Sequence, residues 1–103
     1  MTELRLHPGA GAELEQAAIG YERERPGWGP LFFGEVRRKI AQAATLPGSG
    51  APIAETPPDR DVRAYGLSRF PFRVIVALVG DERFGIAVAH TKREPRYWLE
   101  RLG

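Results

Sequence analysis

Apolar and polar positions change period several times along this chain, and each change predicts an element. Leu4 and Leu6 flank Arg5 in TELRLHP, the alternation of a short strand, which Pro8 and Gly9 end. From about Ala10 to Arg25, Leu14, Ala17, Ala18 and Tyr21 recur at i, i+3, i+4 and i+7, while Glu13, Glu15, Glu22 and Glu24 fall elsewhere. That spacing predicts an amphipathic helix. Pro26-Gly27-Trp28-Gly29-Pro30 then breaks the pattern as a turn. A second helix follows to about Leu46, its buried stripe traced by Phe32, Val36, Ile40, Ala43 and Ala44, with Arg37, Arg38 and Lys39 facing out.

Residues 47–59 hold four prolines and two glycines without periodicity, so a loop is expected there. Strands are predicted near Val62 to Leu67, Phe70 to Val79 and Arg83 to His90, with Gly80-Asp81-Glu82 as a hairpin turn. Pro95 opens a short terminal helix carrying Trp98 and Leu102 at i, i+4 spacing. A loop at Asp81-Glu82, or one from Gly80 to Arg83, pairs Val79 with Phe84, Ala77 with Ile86, Ile75 with Val88 and Arg73 with His90. Arg73 and His90 are therefore expected on one face, with Phe72, Val74, Val76, Leu78, Ala87 and Ala89 on the other. Both faces are apolar at mid-strand, which places this hairpin centrally in the sheet. The predicted fold is a single α+β domain over residues 1–103. A small antiparallel-rich sheet of about four strands packs on an N-terminal helical hairpin, in the order β-α-α-β-β-β-α.

Composition narrows the function. Charged residues make up 27% and hydrophobic residues 43%, as in an ordinary soluble domain. The start of the chain lacks a signal-peptide pattern, and no apolar run has membrane-spanning length, so a cytoplasmic location is expected. Without cysteine there are no disulfides or thiolates, and His7 and His90 alone do not make a zinc site. Gly48 and Gly50 lack the strand, helix and lysine of a phosphate loop, so no cofactor is expected. The net charge of +2 is unevenly spread. Residues 60–103 hold nine Lys/Arg against five Asp/Glu, a bias that favours an acidic partner.

Three stretches carry a resemblance: AELEQAAIGYERERPGWGPLFFGEV, LSRFPFRVIVAL and AVAHTKREPRYWLER. Together they resemble the RelE/ParE toxin superfamily of type II toxin-antitoxin modules, and most of all ParE-like and related plasmid-stabilisation toxins. The resemblance implies a cognate antitoxin that covers the active surface, and growth inhibition by blocking DNA gyrase. It also implies two alternatives: a RelE-like ribosome-dependent mRNA endonuclease, or an inactive scaffold that binds only its antitoxin.

RNA cleavage by a 2′-hydroxyl needs a base, an acid, and cations for the developing phosphorane charge. By resemblance to RelE-type nucleases, Arg73 and Arg93 take the cationic positions, and Tyr97 is the nearest match to the terminal-helix tyrosine, although it stands closer to Arg93 than that pattern places it. His90 is a candidate acid or base because imidazole titrates near neutrality. The two lysines such nucleases carry before Arg73 are here Ala64 and Gly66, with Arg63 and Tyr65 one position away and turned to the other face. For target binding the candidates are Arg63, Arg69, Arg73, Lys92, Arg93 and Arg96. Each has a structural alternative: strand-end arginines pairing with Asp61 or Glu94, a solvated turn at Arg69, and Tyr97 and Trp98 as core anchors.

Overall fold

The structure is a computed structural model that describes residues 4–54, 56–57 and 59–103. Thr2 and Glu3 of the first predicted strand, and Glu55 and Pro58 of the predicted loop, lie outside those residues. Strand β1 (Arg5–Leu6) leads into helix α1 (Pro8–Glu24), with Pro8 in its first turn. His7 caps that helix, its Nδ1 accepting the Gly9 N–H at 2.9 Å. Helix α2 (Trp28–Thr45) starts from Gly27, whose φ of 95° suits glycine alone among common residues. The two helices approach closely at Gly29, where an added Cβ would lie 2.8 Å from the Ala18 carbonyl oxygen.

Beyond the helices come β2 (Ala51–Pro52), β3 (Val62–Gly66), β4 (Phe72–Val79) and β5 (Glu82–His90). A 3₁₀ turn, Leu99–Leu102, ends the chain in place of the expected α-helix. The sheet runs β1-β5-β4-β3-β2, with β1 parallel to β5 and every other pair antiparallel. There are five strands because the proline-rich segment contributes β2, pairing Ala51 with Ala64 and Pro52 with Arg63. Proline is tolerated there since β2 is an edge and needs no second ladder.

Both faces of the central hairpin are covered, as its apolar pattern predicts. On the helical face Phe32 and Val36 pack on Val74, Val76 and Val88 in one cluster with Tyr65 and Phe70. The opposite face is covered by the tail, where Trp98 and Leu102 join Ile75, Ala77, Ile86, Ala87 and Ala89. Trp98 is 1% exposed, among the most deeply buried large side chains.

The hairpin register differs from the expected one. Gly80 and Asp81 form the turn, with Gly80 at φ 62°, so Val79 pairs with Glu82 and Ala77 with Phe84. Beyond an irregularity between Ile75 and Val76 the pairs become Ile75 with Ala87, Arg73 with Ala89 and Phe72 with His90. The extra residue on β5 is Ile86, which lets Ile86 and Ala87 face the same side. Gly85 beside it lies under Leu6 of β1, where a Cβ would come within 2.4 Å of the leucine Cδ2. The consequence for the site is direct: Arg73 and His90 lie on opposite faces of the sheet.

Candidate functional site

The basic residues singled out in the sequence separate into distinct settings. His90 sits on the helical face, its ring 5.0 Å from that of Phe72 and its Nδ1 accepting the Lys92 N–H at 3.0 Å. This bond fixes the start of the tail. Arg63 donates to Asp61 at 3.0 Å and to the carbonyls of Gly48 and Gly50, tying β3 to the loop before β2. Arg83 reaches the same Asp61 at 3.2 Å. Arg69 is exposed in the β3–β4 turn.

Arg73 occupies the other face. With Arg96, Trp98, Pro95, Ala64 and Ile53 it lines a cleft of about 330 Å³ between the tail and the β2 edge. Arg96 adopts φ 67°, a conformation uncommon for a residue with a side chain, which marks this bend as held by its surroundings. Arg73 has no carboxylate partner among the described residues.

Arg93 and Tyr97 turn away from Arg73 toward helix α1, where Glu13 accepts five hydrogen bonds from four residues. Its Oε1 accepts the Val88 N–H at 3.0 Å and Arg101 at 3.1 Å. Oε2 accepts the Tyr97 hydroxyl at 2.7 Å, Arg101 at 3.2 Å and Arg93 at 3.3 Å. Arg93 also stacks on the Tyr97 ring at 3.8 Å, and Arg101 donates to the Ile86 carbonyl. Arg60 holds the end of the tail through the Leu102 carbonyl at 3.0 Å. Burial raises the Tyr97 pKa, and the hydrogen bond to Glu13 and its charge raise it further, against the opposing pull of Arg93 and Arg101. The phenol therefore stays protonated at neutral pH as a donor to Glu13.

A second acid organises the turn before Arg73. Glu35 on α2 is 4% exposed, and its Oε1 accepts the backbone N–H groups of Ser68 and, at 3.2 Å, Arg69. Burial pushes its carboxyl pKa up, but these hydrogen bonds, with the positive charge of Arg38, outweigh that and hold it below the usual range. Sequence reasoning placed neither Glu13 nor Glu35 in a site. The available signal was position: Glu13 stands three residues after buried Ala10, and Glu35 three after buried Phe32, so each borders an apolar stripe where an acid needs partners.

Chemically, the arrangement presents cations without converging acid-base groups. Arg73 and Arg96 share one cleft, Arg93 and Tyr97 are held at the α1 edge, and His90 is across the sheet. Among the described residues no group of histidines and acids is placed to hold a metal ion, and no helix is long and apolar enough to cross a membrane.

No protein-family model matches the chain, and no curated protein sequence matches it significantly. Among solved structures, a chain of the chromosomal ParDE TA system from P. aeruginosa is similar, with a TM-score of 0.70 and 20% sequence identity. The alignment covers 87% of this chain and 96% of that one. The two share a fold, a two-helix hairpin packed on a mixed sheet, in agreement with the resemblance read from the sequence.

Proposed function

We propose that the chain is the toxin of a type II toxin-antitoxin module, neutralised by a cognate antitoxin. In this reading it acts as a ParE-like inhibitor of DNA gyrase that blocks replication by binding rather than by cleaving RNA. One observation carries the choice of target: the groups a nuclease would need do not meet. Arg73 and His90 face opposite ways, and the Tyr97 proton is committed to Glu13. What is left is a basic surface around the cleft lined by Arg73 and Arg96, suited to recognition. Arg73, Lys92 and Arg96 are its proposed contact residues, with Arg93 at the margin; Arg63, bound to Asp61 on the helical face, and Arg69, in the β3–β4 turn, lie outside it.

The antitoxin has a fitting surface in the open groove between α1 and α2. Ala18, Ile19, Pro30 and Phe33 line it, and Ile19 and Phe33 are 45% and 43% exposed. An amphipathic helix would bury these side chains. The endonuclease reading keeps one observation in its favour: Arg73, which has no carboxylate partner among the described residues, shares a cleft with Arg96, an arrangement that suits a phosphate.

Expression of the isolated chain, with the DNA-damage response and translation followed separately, tests the proposal. Early induction of the damage response while translation continues is expected. Immediate translation arrest with new mRNA 5′ ends supports the endonuclease, and unaffected growth leaves only the scaffold.

A further inference from the structure

At the tip of the helical hairpin, where the Pro71 carbonyl accepts the Thr91 N–H at 2.8 Å, lies a feature the proposed target surface does not use. Tyr21, Trp28, Leu31, Arg69, Phe70 and Pro71 line a cleft of about 380 Å³ where the α1–α2 turn meets the β3–β4 turn. Acids pin both turns. Glu22 accepts the Gly27 and Gly29 N–H groups at 2.9 and 3.1 Å, and Glu35 accepts those of Ser68 and Arg69. An arginine stands on each turn: Arg25 lies 5.3 Å over the Trp28 ring, and Arg69 forms part of the wall. Both side chains are exposed, and neither has a carboxylate partner among the described residues. The cleft thus joins apolar surface, including Leu31 at 47% exposure, to two uncompensated positive charges on a fixed frame.

We infer that this cleft seats an acidic segment of the antitoxin, with one aliphatic side chain against Tyr21, Leu31 and Phe70 and flanking carboxylates on Arg25 and Arg69. The inference rests on the toxin-antitoxin reading for the source of the segment. Carboxylates match the guanidinium fork, and opposite charge at a rim raises both association rate and selectivity. An aliphatic anchor fits better than a nucleobase, because base stacking needs an open ring face. The Tyr21 ring is already in contact with Trp28, Phe32, Phe70 and Phe72, and Arg25 covers Trp28.

The test is fluorescence anisotropy of the whole chain with a fluorescein-labelled peptide, Gly-Asp-Glu-Leu-Asp-Glu-Gly, at low salt. Saturable binding is expected, weakened at least about ten-fold, or 1.4 kcal/mol, by Leu→Ser in the peptide and by the pair Arg25→Ala/Arg69→Ala. Leu31→Ser, which alters the apolar wall and no charge, should weaken it likewise, whereas Leu46→Ser, exposed at the opposite end of α2, should leave it unchanged. The inference is overturned by no saturable binding up to about 1 mM, an affinity of roughly −4 kcal/mol. Binding indifferent to the arginine pair, or a short thymidine oligonucleotide that binds in place of the peptide, overturns it too. Since the assay contains neither gyrase nor antitoxin, it can fail while gyrase is still inhibited, and can succeed when gyrase is not.

Discussion

Arg101 and Arg73 are the same residue type, both from the basic C-terminal half, yet the structure treats them oppositely. Arg101 is buried to 17% side-chain exposure against Glu13, which is itself at 12%, and it bonds both carboxylate oxygens and a strand carbonyl. Arg73 lines an open cleft with no acid beside it among the described residues. Net charge counts them equally. Packing separates them: one fastens the tail to α1, and the other lines an open cleft. Arg93 stands between, bonded to Glu13 but 51% exposed.

Removing the tail's anchor should have the largest effect. Trp98→Ala should destabilise the fold by about 3–5 kcal/mol in urea unfolding, because it empties the core under the tail. A loss below about 1 kcal/mol would mean that the tail does not hold the sheet face. Glu13→Ala should cost about 2–4 kcal/mol, since it strands Arg101, the Tyr97 hydroxyl and the Val88 N–H together. Arg93→Ala should cost about 0–1 kcal/mol, as expected for an exposed pair.

Glu35→Gln should cost about 1–3 kcal/mol. Its effect has a pH signature. Because the folded-state pKa is lowered, the carboxylate's contribution is fully present above its ordinary value of 4.5 and is lost as pH falls from there through the folded value. Wild-type stability should therefore decline in that acid window, and the Gln variant should show a shallower decline. Equal slopes would show that Glu35 does not anchor the β3–β4 turn. Smallest of all in stability is Arg73→Ala, expected within about 0.5 kcal/mol of wild type. The same variant should relieve growth arrest. Unchanged toxicity would remove Arg73 from the working surface.

Much of the architecture is legible in the sequence because it depends on local periodicity. The α1 and α2 stripes, the hairpin buried on both faces and the Trp98–Leu102 spacing are of this kind. The register is not, since the bulge at Ile86 adjoins Gly85, which packs under Leu6 of a strand far away in the chain. Strand β2 escapes notice because two residues, one of them proline, carry no period; its pairing with β3 defines it. The candidate site suffers most. Its cations were visible as residue types, but the holding of Arg93 and Arg101 follows from Glu13, which lies 80 and 88 residues away from them.

In the proposed function the open basic surface binds its target, and Arg93, Tyr97 and His90 do not form a nuclease site. The most direct measurement is DNA supercoiling by purified gyrase titrated with the isolated chain, alongside primer extension on translated mRNA. Dose-dependent loss of supercoiling, weakened by Arg73→Ala and without new mRNA 5′ ends, is the predicted result. Full supercoiling at saturating chain, with new 5′ ends on the message, would contradict it.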